Sequence, residues 1–278
     1  MKAFSVASWN VEHFKGDPAR VNRVVQFLNA QAPDVFALYE VEGAEIFQAL
    51  VTAMPSYTFH ITEGPQVQEI LVGVREGLSA FFTQKVEFRS GVTSLRPGAL
   101  LAITLGAQHY PILFLHTKSG SDPRGLGLRD DMLIRACDFR KVLDKASGGI
   151  GKANYIFLGD LNTMGMKYRY VKGRDINQEE ELLKLAEQAK RSNMRMLAKD
   201  EPATWSNGST SNLKPSNLDH VIAARHLSFK SWSNTLNSGV TPEVSVRGWT
   251  KESTPAKQDQ WLKNYSDHAL LYFEVQRV

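Results

Sequence analysis

The sequence predicts an α+β fold in which two mixed β-sheets pack face to face, with helices over their outer faces. Roughly ten apolar runs have β character while only about four segments have helical periodicity, too β-rich a ratio for simple βαβ alternation. The chain is also long enough, at 278 residues with 42% hydrophobic and 22% charged side chains, to bury a sizeable core. It reads as one globular unit over residues 1–278.

Taken in order, AFSVASW (3–9) is an extended run that fits a first strand. Asp17 and Pro18 then supply an N-cap and a first-turn proline. Val21, Val24, Val25 and Leu28 recur at i, i+3, i+4 and i+7, so 18–31 reads as a helix. DVFALYE (34–40) is the next strand and 43–53 the next helix. Five β-type runs follow: YTFHI (57–61), EILVGV (69–74), AFFTQKVEF (80–88), ALLAITL (99–105) and YPILFLH (110–116). A helix over 127–146, the strand NYIFLGD (154–160) and a helix over 178–190 come next, and LDHVIAA (218–224) and ALLYFEV (269–275) complete the strands. Between about 230 and 266 the pattern gives way to Ser, Asn, Gly, Pro and Thr around Trp232, Trp249 and Trp261. Such a stretch reads as a structured loop, either beside a functional site or held to the body by its tryptophans.

A net charge of +4 and a pI of about 9.0 are compatible with a polyanionic partner without showing one. The single Cys137 excludes an internal disulfide and a thiolate metal cluster. MKAFSVASWN lacks the apolar core of a secretory leader, and no stretch approaches the ~18–20 apolar residues of a membrane span. The expectation is a cytoplasmic protein with no membrane anchor and no obligate protein partner.

Functional signal concentrates where strands end. In IFLGDLNTMG, Asp160 and Asn162 follow an apolar strand two residues apart, which places both side chains on one face. Alone, this is also a turn composition. The same polar punctuation recurs at Asn10 and Glu12, Glu40, His116, Asp219, and Asp267 with His268, and no Lys or Arg occupies these positions. A convergent carboxylate, amide and imidazole cluster is the economical reading. Oxygen donors without thiolates suit a hard divalent cation, Mg²⁺ with Mn²⁺ able to substitute, or Ca²⁺. Histidines beside carboxylates supply acid–base chemistry, and the combination suits hydrolysis of a phosphate ester.

The motifs WNVE, LYEVEG, LHTKSG, GDLN, LDHV and SDHALL run in that order from residue 9 to 271. As an ordered set the pattern resembles the endonuclease/exonuclease/phosphatase superfamily, with the deoxyribonuclease I-like fold, and its nuclease branch in particular. The resemblance implies a four-layer α/β/β/α sandwich with one active site. It implies Glu40 as principal metal ligand, Asn10 helping to hold metal or phosphate, Asp267 in the metal-binding set, and Glu12, where the family often has Asp, as a secondary ligand. Asp160 would orient or deprotonate water, and Asn162 would contact the scissile phosphate. His268 would act as base or as a cationic phosphate ligand, oriented by Asp219. His116 would donate to the phosphate or leaving group, with Glu69 in the place of its partner in the deoxyribonuclease branch. His220 falls on the opposite strand face and reads as structural.

For the substrate, GDLNTMG and PSNLDHVI lack the basic residue and the Pro-x-Trp-Cys-Asp-Arg signature of the phosphoinositide branch, and a sphingomyelinase needs an export signal or anchor that the sequence does not display. After the GDLN strand, GMKYRYVKGR interleaves Lys167 and Arg169 with Tyr168 and Tyr170, a pattern for tracking phosphates and stacking on bases. Trp249 offers an aromatic wedge. Lys118, Arg124, Arg129 and Arg135 lie near His116, with Arg129 or Arg135 placed to clamp phosphate. The reading is a divalent-metal-dependent phosphodiesterase acting on nucleic acid, a DNA endonuclease first. The alternative is a phosphatase or phosphodiesterase for a small phosphorylated metabolite or lipid headgroup. A non-catalytic module should have lost at least one of Glu40, Asp160, Asn162, Asp267 or His268, and all are present.

Overall fold

The computed structural model describes residues 1–64, 68–232 and 239–277. In chain order the elements are β1 (Lys2–Phe14), α1 (Pro18–Ala30), β2 (Val35–Val41), α2 (Ala44–Ala53), β3 (Tyr57–Ile61), β4 (Glu69–Arg75), β5 (Ser79–Lys85), β6 (Gly98–Leu105), β7 (Gln108–His116), α3 (Pro123–Ala146), β8 (Ile156–Asp160), α4 (Gln178–Arg191), β9 (Met194–Met196), β10 (Asp219–Ala224), β11 (Ser245–Arg247), α5 (Pro255–Asn264) and β12 (Leu270–Gln276). They form two six-stranded mixed sheets, ordered β11-β12-β1-β2-β4-β3 and β5-β6-β7-β8-β10-β9.

The four layers follow from side-chain alternation. On β7 and β8, Leu113, Leu115 and Phe157 pack outward against Leu133, Ala136 and Cys137 of α3 and Leu185 and Ala189 of α4. Their neighbours Ile112, Phe114, Ile156 and Leu158 belong to the core shared with the first sheet, where Phe4 meets Tyr110 edge-on at 5.2 Å. On the first sheet Trp9 faces outward, its ring against Phe27 of α1 and Trp261 of α5. Because strand side chains alternate with period two, the inward set continues to His116 and Asp160 at the strand tips. Register aligns them: His116 pairs with Asp160 across β7 and β8, and Asp160 with Asp219 across β8 and β10. The fold thus delivers three titratable side chains in one row at the rim of the inter-sheet core.

Each β-type run forms a strand, although AFFTQKVEF ends at Lys85 and turns into a 3-10 segment at Val86–Arg89. β9 and β11, three residues each, are too short to display a period. The 230–266 stretch is more regular than its composition predicts, since it holds β11, a 3-10 turn at Trp249–Lys251 and α5, capped by Thr254. Residues 233–238 of that stretch lie outside the described residues. Its tryptophans anchor it to the body. Trp261 packs against Trp9 of β1, Trp232 meets Tyr272 edge-on, and Trp249 is only 5% exposed. This corrects the expectation that Trp249 contacts nucleic acid, because a buried indole has no face left for a base. No helix among the described residues is long and apolar enough to cross a membrane.

Gly159, the residue before the last of β8 and part of the GDLN motif, is glycine for a steric reason. Its φ is 142°, and a Cβ at this position would lie 1.9 Å from the Leu115 carbonyl oxygen and 2.8 Å from the Tyr39 hydroxyl. Gly159→Ala is therefore expected to cost about 3 kcal/mol, from overpacking in a closed core combined with a backbone region unfavourable to side chains. Urea denaturation of the two proteins measures this, and a loss below about 0.5 kcal/mol, the range of ordinary surface substitutions, would contradict the packing described.

Candidate active site

The strand tips of both sheets open into a cleft of about 710 Å³ whose lining includes Asn10, Glu40, His116, Asp160, Asn162, Asp267 and His268. Two irregularities aim the first sheet's contribution. The β2–β4 pairing shifts register between Leu38 and Val41, and within that shift Glu40 adopts φ 63°, which carries its carboxylate off the regular pleat. The Asn10 amide nitrogen then bridges Glu40 Oε1 (3.2 Å) and Asp160 Oδ2 (2.9 Å). The Asn10 oxygen is occupied by the Glu12 backbone N–H at 3.0 Å, which fixes the amide orientation. Asn10 thus presents a donor to the two carboxylates and turns its oxygen, the atom a metal would need, away from them. Glu40 Oε2 accepts from the His13 backbone N–H (3.0 Å) and Gln68 Nε2 (3.3 Å), and the side chain keeps 16% exposure.

From the second sheet, Asp160 is the hub. Its Oδ1 accepts the Asn162 backbone N–H at 3.0 Å, while its Oδ2 lies 3.4 Å from His116 Nε2 and 3.8 Å from His268 Nε2. His268 Nδ1 meets Asp219 Oδ2 at 2.8 Å, and its Nε2 is 4.0 Å from Asp267 Oδ1. The Asn162 side-chain amide donates to the Thr117 carbonyl at 3.2 Å and so ties the GDLN turn to the end of β7. Glu12 does not line the cleft, and its pKa is raised first by partial burial and then by the neighbouring Asp267.

These distances set the protonation states. Burial pulls the His268 pKa down, but Asp219 and then Asp160 outweigh it and push it up to about 10, so the ring is a cation at neutral pH. The His116 pKa is driven well below the usual histidine range, first by burial and then by Arg96 and His268. A neutral His116 with Nε2 facing two carboxylates carries its proton there, which agrees with a buried Nδ1 that has no partner among the described residues. Asp160 is pushed up to about 7, chiefly by burial, with Asp219 adding to the shift and His268 opposing it.

Not all expected residues join the site. Glu69 does not pair with His116: its carboxylate accepts from the Thr62 hydroxyl and the Gly64 backbone, because the β3–β4 hairpin brings Thr62 to it first. Arg129 cannot clamp a substrate phosphate. It is fully buried and forked onto Glu181 at 2.7 and 3.0 Å. Arg135 pairs with Asp131 on the surface of α3. Lys167 lines the cleft, whereas Tyr168, Arg169 and Tyr170 lie on the loop beyond it. His220 is buried with Nε2 against Thr163 and Asn217, a structural placement.

Arg96, Trp205, Lys199 and Lys214 were not among the residues expected from the sequence, and Lys214 lines the cleft. Arg96 enters the cleft beside Glu40 and Asp160, its Nε donating to the Gln68 carbonyl at 2.7 Å. Its one local signal was the following proline, which favours an extended residue. Trp205 lines the opposite wall and donates to Asp267 Oδ2 at 2.7 Å. Lys199 is buried beneath the site and donates to the Asp219 carbonyl and Asn217. Burial lowers its pKa to about 7 against the pull of Asp219.

The model of the Endonuclease/Exonuclease/phosphatase family matches residues 7–268. The chain belongs to this family. Its members are phosphoester hydrolases, generally dependent on divalent metals. A search of curated proteins returns no match. Among solved structures the chain is similar to truncated TDP2 of Caenorhabditis elegans, at 14% identity over 99% of this chain and 98% of that one, with TM-score 0.65. It is similar to D. rerio TDP2 complexed with single strand DNA product, at 17% identity over 99% of both chains, TM-score 0.64. It is also similar to a mannosyl-6-phosphatase of Bacteroides thetaiotaomicron, at 13% identity over 99% of this chain and 100% of that one, TM-score 0.58. At these identities the likeness is one of fold: two packed sheets with flanking helices, as in the deoxyribonuclease I-like members of the family.

The donor set fits the metal that the family implies. Asp160, Asp219 and His268 place ligand-type atoms within 4.8 Å of one another. His268, however, already gives Nδ1 to Asp219 and is held as a cation, whereas a metal ligand must be neutral. That trio reads better as a proton-carrying group. The cleft-facing oxygens of Glu40 and Asp267 are hard, oxygen-only donors. A divalent cation beside them would also favour the charged form of Asp160, which burial disfavours.

Proposed function

We propose that this cleft is the active centre of a divalent-metal-dependent phosphodiesterase that hydrolyses nucleic acid, DNA in the first place, as an endonuclease. The observation that carries the reading is the pairing of carboxylates with cationic side chains in one cleft: Glu40, Asp160 and Asp267 share its lining with Arg96, Lys167 and Lys214. Such an arrangement suits a cation held between carboxylates and a polyanion laid across basic side chains.

Glu40 and Asp267 would hold the metal, Mg²⁺ with Mn²⁺ as a substitute. When bound, it would neutralise charge on the phosphoryl oxygens. Asp160, with a pKa of about 7 in the metal-free protein, is poised to take a proton from water near neutral pH. Cationic His268, held by Asp219, would bind a phosphate oxygen, and neutral His116 would donate a hydrogen bond from Nε2 to the phosphate or leaving group. Asn10 keeps Glu40 and Asp160 apart at a fixed spacing, and Asn162 braces the turn that carries Asp160.

Supercoiled plasmid, labelled single- and double-stranded oligonucleotides and a panel of sugar phosphates, each with Mg²⁺, Mn²⁺ or EDTA, test the reading. Nucleic-acid cleavage is expected with either metal and none with EDTA. Its rate should fall with salt at a log–log slope near −2 if about three phosphates are engaged on a single strand. Hydrolysis of sugar phosphates alone, with little salt dependence, would replace this reading with the small-substrate one.

A further inference from the structure

A second pocket of about 590 Å³ adjoins the cleft and shares Gln68, Arg96 and Ser119 with it. Beyond Arg96 its walls carry Lys118 and Arg124. Neighbouring arginines on α3 are neutralised, Arg129 by Glu181 and Arg135 by Asp131. Arg96, Lys118 and Arg124 by contrast have no carboxylate within 4.0 Å among the described residues. Asp122 is the one acid in the lining, and its Oδ1 is engaged in capping α3, accepting the Arg124 and Gly125 backbone N–H groups at 3.0 and 3.1 Å. The helix terminus is thus closed by its own carboxylate, and any anion affinity comes from the side chains. The base of the pocket is rigid, because buried Arg129 Nη1 holds the Lys118 and Gly120 carbonyls at 3.1 and 3.0 Å.

We propose that this annex is a second phosphate subsite, so that the substrate carries a phosphate flanking the one that is hydrolysed. Arg96 stands between the two positions and faces both. The inference rests on the phosphodiesterase reading of the adjoining cleft. The flanking phosphate is the next linkage of a nucleic-acid strand, and the same chemistry would accept the second phosphate of a small bisphosphate.

The test is binding, measured by calorimetry with Mg²⁺ present, to the Asp160→Asn protein, so that turnover does not interfere. The ligands are trithymidylate with both linkages charged and its two isomers in which one linkage is a neutral methylphosphonate. A sugar bisphosphate is compared with its monophosphates. The fully charged trinucleotide is expected to bind about 10-fold more tightly than the weaker isomer, the scale of a charge-assisted contact. That gain should disappear when Lys118→Ala and Arg124→Ala are added. A gain confined to the sugar bisphosphate, and lost in the same variant, supports the subsite and assigns it a small substrate. No charge-dependent gain in either series, or a gain that survives both alanines, overturns the proposal. Wild-type turnover of the same ligands is read separately, so a failure of the phosphodiesterase reading shows itself without deciding the subsite.

Discussion

Asp160→Asn is expected to lower turnover by about 10³-fold, the scale of a lost general base, while the protein stays folded. The strand-tip position suggests tolerance, but Asp160 is only 2% exposed, so the reason for tolerance is electrostatic. Its carboxyl titrates at about 7 in the metal-free protein, raised by burial with Asp219 adding and His268 opposing. An unfolded Asp titrates at about 3.9, so the folded state binds this proton more tightly. The stability it contributes is fully present below about pH 4 and is lost as pH rises through about 7. Asn has no such titration and keeps an oxygen for the Asn162 N–H, while its amide nitrogen gives up the bond from Asn10 at every pH. Between pH 5 and 8 in EDTA, the wild-type melting temperature should therefore fall relative to that of Asp160→Asn, and Mg²⁺ should narrow the gap. A variant that keeps wild-type turnover would remove Asp160 from the chemistry. A difference in melting temperature between the two proteins that does not change between pH 5 and 8 would contradict the protonation of Asp160 described above.

Arg129→Met is expected to cost about 3–5 kcal/mol, the range for removing one partner of a buried ion pair. Arg129 is fully buried, forks onto Glu181 and donates to the carbonyls of Lys118, Gly120 and Gly165. Glu181 in turn accepts the Gly165 N–H at 2.7 Å. One guanidinium thereby ties α3 and α4 to the loops after β7 and β8, the loops that carry Lys118, Asn162 and Lys167 into position. Loosening them should raise KM more than it lowers kcat. Urea denaturation gives the stability loss, and Arg129→Met combined with Glu181→Leu should recover part of it, since no uncompensated charge remains while the Gly165 N–H and the three carbonyls still lose their partners. A loss below about 1 kcal/mol for the single variant would mean that the pair behaves like a surface salt bridge.

The strands and the acidic hub were legible because a buried strand that ends on Asp, Asn or His is an unusual event, and period-two alternation carries the inward face to the tip. Asp160 and Asp219 meet in register as that alternation requires. Arg129 was misread because a helix period does not reveal a counter-charge 52 residues away; only packing α3 beside α4 brings Glu181 to it. Glu69 has the right strand position, yet Thr62 lies across the hairpin and takes its carboxylate. Trp249 was hidden among polar neighbours that describe the loop's surface rather than the indole's surroundings. α5 has a single buried residue, Trp261, so it displays no apolar stripe. Arg96 and Trp205 reach the cleft from irregular segments, where no periodicity links a residue to the face it joins.

The central claim is that cleft-facing carboxylates hold the divalent cation on which phosphodiester hydrolysis depends. Its most direct test is the Mg²⁺ dependence of oligonucleotide cleavage by wild-type and Glu40→Gln proteins. Glu40 is partly exposed in the cleft and hydrogen-bonded by Asn10, His13 and Gln68, so Gln retains its shape while removing its charge. Wild-type activity should saturate with Mg²⁺, and the variant should need about 100-fold more metal or stay inactive, the upper end of the loss that follows when even a hydrogen-bonding partner of a metal ligand is removed. The same Mg²⁺ midpoint in both proteins, with full activity in the variant, would contradict that claim.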